Sequence, residues 1–288
     1  MLDGTTLSGP ITLAENNQAR TLTLAVGMSD AVISGPIADG TGSGADGLTK
    51  TGAGTLTLSG SNSYTGETTV AAGAIALGGS DRLADNSALN LAGGTLALNG
   101  NSERVGNLTF NNGTVDFGTA ATTNSLLFNT TYGTPSGVLT INNWDAATDI
   151  LASQSALAAG VLGSVYFSGY GSGATQSGAG QTVGSYGGGW LALSPAAEAT
   201  RVWSSSSDQR WSQNGNWGGN RPNADTEVAV FGTGTQLNPQ LNSNNYSVRG
   251  IRFDTGAASY NVTNDASART LKLGGNNTAV AFIQQKSA

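Results

Sequence analysis

Hydrophobic residues in this chain alternate with small or polar ones in short runs, and the runs recur at a near-constant interval. Thr55-Leu56-Thr57-Leu58, Ala74-Ile75-Ala76-Leu77, Thr95-Leu96-Ala97-Leu98 and Thr114-Val115-Asp116-Phe117 share one four-residue pattern. Their second positions, Leu56, Ile75, Leu96 and Val115, are separated by 19, 21 and 19 residues. Their fourth positions, Leu58, Leu77, Leu98 and Phe117, repeat the same steps. Alternation with period two marks a strand with one buried face. A second set lies between the first: Val70, Leu89 and Leu108 at steps of 19, with Ala72, Leu91 and Phe110 alongside. Gly54, Gly73, Gly94 and Gly113 precede the runs of the first set, and Gly78, Gly118, Asn99 and Asn112 follow or punctuate them. Gly and Asn tolerate the positive φ that tight corners require.

A unit of about 20 residues with two or three short strands and Gly/Asn corners corresponds to one turn of a parallel β-helix. One such coil cannot bury its own inward face, so it pairs with the coils above and below and stacks like residues in columns. The fold class expected is all-β, a parallel β-helix (β-solenoid) with about 19–21 residues per coil. Carried over the whole chain, that period predicts roughly 14 coils. An antiparallel sandwich is the alternative. It predicts hairpin turns about every 8–12 residues and gives no reason for one residue class to return after 19.

Later segments fit the pattern less closely. Residues 137–144 and 163–170 read as further coils, with a short helix or a bulged coil over 145–162 between them. The composition shifts after Ser194-Pro195-Ala196-Ala197-Glu198, and Trp203, Trp211 and Trp217 follow within a short span. The expected domains are a solenoid module over 1–198 and the start of a second, Trp-rich solenoid module over 199–288 that continues the stack. Strand patterns resume at 248–253 and 270–274. Ala279-Val280-Ala281-Phe282-Ile283 placed before a second copy's Thr5-Thr6-Leu7 would read as uninterrupted coils. End-to-end self-association is therefore expected.

Residues 47–79, GLTKTGAGTLTLSGSNSYTGETTVAAGAIALGG, resemble the autotransporter-associated β-strand repeat, also called the passenger-associated transport repeat. The likeness is carried by Leu48-Thr49-Lys50-Thr51-Gly52, Gly54-Thr55-Leu56-Thr57-Leu58, Tyr64-Thr65-Gly66 and Thr68-Thr69-Val70. Ser87-Ala88-Leu89-Asn90-Leu91 and Gly93-Gly94-Thr95-Leu96 extend it. The resemblance implies a right-handed β-helix in a secreted or outer-surface passenger of a Gram-negative-type bacterium. It also implies a repeat that assists export by folding outside the cell, and a parent protein that can carry an outer-membrane translocator barrel. The expected role is that of an extracellular, adhesin-like structural fibre.

Composition narrows the chemistry. The 288 residues include 43 Gly and only 10% charged residues, with a net charge of −6. No basic stripe exists to neutralise phosphates, so nucleic acid is not an expected partner. Cys and His are absent, which excludes Cys-based zinc sites, Cys nucleophiles and His general bases. No cofactor and no metal are expected, and no catalytic residue is singled out.

Two features carry alternatives. Asp46, Glu67, Asp85 and Glu103 are spaced by 21, 18 and 18 residues. They could form a column for glycoside hydrolysis, which needs two carboxylates in a cleft, or for weak calcium binding. As solvated turn residues they would do neither. Lyases of this architecture usually use a Lys or Arg base, and Lys50, the lysine nearest these carboxylates in sequence, belongs to the repeat itself. The aromatic residues, Trp203, Trp211 and Trp217 above all, are the candidate ligand-binding residues. They could stack on a surface glycan, or instead plug coil ends and corners. A carbohydrate-binding surface module is thus the second functional expectation, and a polysaccharide-degrading enzyme the third.

Overall fold

A computed structural model describes residues 1–285, apart from 14–16, 43, 120–122, 169, 197–198, 206–207, 218–219, 224–226, 233–234, 243–244, 249, 255–256, 265–268 and 274–281. Residues 279–281, expected at the joint between stacked copies, lie outside the described residues. The chain divides into two compact units, Met1–Ser168 with Ala174–Pro195, and Gly169–Gly173 with Ala196–Ala288.

The first unit is a parallel β-solenoid. On one face the strands Thr6–Leu7, Ala31–Ile33, Thr55–Leu58, Ala74–Leu77, Thr95–Ala97, Thr114–Asp116, Leu139–Asn142 and Val165–Phe167 follow one another in chain order. A second face carries Thr21–Ala25, Gly47–Thr51, Thr68–Val70, Leu89–Leu91 and Leu108–Phe110, also parallel. Neighbouring strands in space are thus successive coils in sequence.

The predicted column exists. Ala31, Leu56, Ile75, Leu96, Val115 and Ile141 are register partners in succession, and Phe167 follows Ile141. Leu7, Ile33, Leu58 and Leu77 form the parallel column, and Leu98 and Phe117 occupy the corresponding buried positions further along. Residues between them, such as Thr57, Ala97 and Asp116, face outward and are partly exposed. Trp144 closes the later coils, its ring edge-on to Phe117 and Phe167 with centroids 5.1 Å from each.

Two expectations are corrected. On the second face Val70 pairs with Leu91 and then Phe110, while Leu89 stands between Thr68 and Leu108. The 19-residue step from Val70 to Leu89 therefore gave a register two residues out. Positions i and i+2 of a strand point the same way, so the apolar pattern does not separate the two alignments. The coil length is also less uniform than expected. Steps of 19–21 hold from Leu56 to Val115, but Leu7 to Ile33 is 26, Val115 to Ile141 is 26 and Ile141 to Phe167 is 26. Longer coils mean fewer of them than a uniform period of 20 predicts.

The difference lies on the third face. Long coils carry a true third strand there: Ile11–Thr12 pairs with Ile37–Ala38, and Asn124–Phe128 with Asp149–Ser153. The 19-residue coil from Leu96 to Val115 still carries the two-residue strand Glu103–Arg104, paired with Leu126 and Leu127, but in the two short coils before it side chains replace that ladder. Asn62 Oδ1 accepts the Ile37 N–H at 2.8 Å, and its Nδ2 donates to the Arg82 carbonyl at 2.5 Å. Glu103 Oε2 accepts the N–H groups of Arg82 at 2.8 Å and Leu83 at 3.1 Å. Buried backbone groups need partners, and an amide or carboxylate on the neighbouring coil supplies them where the chain is too short for a strand. In the 145–162 segment the structure has the strand Asp149–Ser153 and one short helix, Ala159–Gly163.

The second unit has its own core. Ala199–Trp203, Glu227–Phe231, Gly250–Phe253 and Phe282–Gln285 form a parallel sheet in chain order. Trp203, Trp211, Trp217, Phe231 and Tyr246 fill the space beneath it.

Candidate functional site

The third face of the solenoid ends differently from the other two. After Asp149–Ser153 the next strand is Leu191–Pro195, which pairs antiparallel and is in turn paired antiparallel with Ala174–Gln176. The two are joined by residues 177–190. This connecting loop folds back along the third face. Trp190 packs, fully buried, with Leu127, Ala152 and Val183, and the Arg104 guanidinium lies 5.8 Å from its ring centroid. The indole N–H donates to the Tyr186 carbonyl at 3.3 Å, and the Tyr186 hydroxyl donates to Asp81 Oδ1.

Between loop and face lies a cavity of about 280 Å³, bordered by Asp81, Ser102, Ser125, Ile150, Val183 and Tyr186 among others. Beside it, carboxylate oxygens of Asp81, Asp85 and Glu103 lie within 4.8 Å of one another. Glu103 is fully buried. Burial pushes its carboxyl up to about 8, with the Leu83 and Arg82 N–H groups pulling it down and Asp81 adding to the rise. Burial first, then the Asp81 bond and the charges of Asp81, Glu103 and Asp85, push the Tyr186 phenol upward. Three hard oxygen donors are the type of ligand a divalent cation uses, but Glu103 already spends both oxygens on backbone N–H groups and Asp81 one on Tyr186.

The four carboxylates expected in one column do not all meet. Asp85 and Glu103 come together, joined by Asp81 from the turn before Arg82. Asp46 is buried and accepts the Arg20 N–H at 2.7 Å. Glu67 accepts from Thr69 at 2.8 Å, Asn90 at 3.1 Å and the Tyr132 hydroxyl. Asp46 and Glu103 are therefore not solvated turn residues. Their oxygens serve backbone groups of an adjacent coil, a role that spacing alone does not reveal. Asp81, Ser125 and Tyr186 carried no repeat signal, because the loop that brings them together is unique in the chain.

Trp203, Trp211 and Trp217 offer no ring face to a ligand. Their exposures are 1%, 0% and 2%. They pack on one another with centroids 5.0 Å apart for Trp203 and Trp217 and 4.5 Å for Trp211 and Trp217. Their indole N–H groups donate to the carbonyls of Gln236, Pro222 and Trp211. A buried indole needs such a partner, and here every one is internal. Leu56, Leu58, Ile75, Leu77, Leu96, Leu98, Val115 and Phe117 are core residues, each exposed by 2% or less.

Residues 48–77 match the passenger-associated-transport-repeat family. The matched segment runs from the second-face strand Gly47–Thr51 to the first-face strand Ala74–Leu77, the most regular part of the solenoid. No curated protein and no solved structure gave a significant match to the chain.

Proposed function

We propose that the chain is a non-enzymatic passenger segment of an autotransporter-type surface protein, exposed outside a Gram-negative-type bacterium and serving as a structural, adhesin-like rod. The single observation that carries this reading is the family match at 48–77, lying on in-register coils. A solenoid coil gains most of its stability by adding to a coil already formed. Coils that fold one after another as they emerge can therefore retain a chain outside the membrane without a separate energy source. Low charge and the absence of Cys suit a chain that crosses a membrane unfolded.

End-to-end association belongs to the same reading. Among the described residues the strands Thr6–Leu7 and Thr21–Ala25 each pair with a parallel strand on one side only, apart from the Leu2 N–H that donates to the Ala25 carbonyl at 2.8 Å, and Leu2, Leu7, Ile11, Leu13 and Leu22 are only partly buried against the core. Open strand edges over apolar side chains invite a further coil.

The test is export. The chain is placed between a signal peptide and a translocator barrel, and its arrival at the surface is read by antibody labelling and protease shaving of intact cells. Surface display is expected for the native sequence, with a marked loss for Ile75→Asp, which interrupts the matched coils. Retention of the native sequence inside the cell, or equal display of Ile75→Asp, would overturn the proposal. Static light scattering over a concentration series tests association; a constant monomer mass rules it out.

A further inference from the structure

The strand Asn124–Phe128 is buried on both faces. Leu126 and Phe128 point into the solenoid core, and Leu127 points the other way, under Trp190. Ser125 shares Leu127's outward direction by strand alternation. A hydrophobic residue there would complete the seal beneath the loop. Instead Ser125 is 1% exposed, its Oγ has no hydrogen-bond partner, and it lines the cavity. Unpartnered buried hydroxyls are uncommon in folded proteins and need an explanation.

The remaining lining supplies one. Ser80, Ser102, Ser185 and Tyr186 add hydroxyls, Asp81 adds a carboxylate, and Ile150 provides an apolar wall. Hydroxyls both donate and accept, and a carboxylate accepts only. Together they complement the adjacent hydroxyls of a sugar, while Ile150 and the half-buried ring of Tyr186 suit its C–H faces. The volume of about 280 Å³ gives room for one six-membered ring. Among the described residues no Lys or Arg lines the cavity, and the Asp81 carboxylate lines it with Asp85 beside it, which disfavours an anionic ligand.

We propose that the cavity under the 177–190 loop binds one neutral pyranose, held by Asp81 and Ser125 and covered by Tyr186. The inference is independent of how the chain reaches the cell surface. It also differs from a glycan site on exposed tryptophans, because its aromatic is Tyr186 and its floor is the third face.

The full chain, labelled with 15N, is titrated with methyl glucoside, methyl mannoside and methyl galactoside, and with glucuronate as the anionic control. Saturable shifts are expected for at least one neutral glycoside, centred on Ser125, Asp81 and Tyr186, with none for glucuronate. Asp81→Asn is expected to weaken binding about tenfold or more, since a charged acceptor is lost, and Ser125→Ala more modestly. Should either variant fail to fold by circular dichroism, Thr182→Trp at the exposed rim occludes the mouth without touching the core, and must abolish binding. No saturable binding of any neutral glycoside would overturn the proposal. So would equal binding of glucuronate, or wild-type affinity in the folded variants.

Discussion

Lys50 reaches across one coil to the carbonyl oxygen of Ala72, 3.2 Å from its Nζ. In register it stands between Leu24 and Val70, inside an otherwise apolar column, and it is fully buried. Its stem packs as a hydrophobe while the ammonium turns to the corner, where it also donates to Thr51 at 2.9 Å and Gly52 at 2.8 Å. Burial lowers the affinity of Lys50 for its proton and the Asp30 carboxylate opposes the change. The lysine of the matched repeat is thus a clamp on three carbonyls.

Lys50→Met keeps the stem and removes those donors. It is expected to cost about 1–3 kcal/mol, the range for leaving buried acceptors unsatisfied. The urea midpoint of the full chain checks this; an unchanged midpoint would show that the clamp contributes nothing.

Gly52 follows at φ +78°, and a Cβ there would meet the Val26 carbonyl oxygen at 2.1 Å. Gly52→Ala must both hold an unfavourable backbone conformation and displace the previous coil. A loss of at least ~2 kcal/mol is expected, read as the same midpoint shift.

Ile75 lies in the middle of the first-face column. Ile75→Ala leaves a cavity between Leu56 and Leu96 and is expected to cost about 2–5 kcal/mol. Thr57→Ala, on the outward side of the neighbouring strand, should change stability by less than about 0.5 kcal/mol. Equal effects would contradict the register.

Glu103 makes stability depend on pH. Its folded carboxyl titrates near 8 against an ordinary 4.5, so between those values the folded chain holds a proton that the unfolded chain has released. Stability from this group is complete below about pH 4.5 and is lost as pH rises towards 8. The loss is on the order of 2–4 kcal/mol. Glu103→Gln keeps an oxygen for Arg82 and Leu83 and should flatten this dependence. Urea midpoints at pH 5 and pH 8 compare the two; parallel slopes would refute the assignment.

The buried indoles of Trp203, Trp211 and Trp217 should resist acrylamide in quenching measurements. They should be unaffected by added glycans, because no ring faces solvent. Quenching of all the tryptophan emission at the rate of free indole would be inconsistent with this packing.

The sequence by itself determined the architecture of its regular part. From Leu56 to Val115, inward residues must coincide on every coil to make a continuous core, so they repeat visibly, and the column of Leu56, Ile75, Leu96 and Val115 could be read off directly. Alternation has a period of two, so it could not distinguish Leu89 from Leu91 as the partner of Val70; only inter-coil hydrogen bonding decided that. Nor could it show Asn62 and Glu103 standing in for a missing strand, since each performs its task once. The cavity of Asp81, Ser125 and Tyr186 depends on a single antiparallel return of the chain over the third face. Contacts made once leave no periodic trace, and it is the tertiary structure that brings residues over a hundred positions apart, Asp81 and Tyr186, into one hydrogen bond.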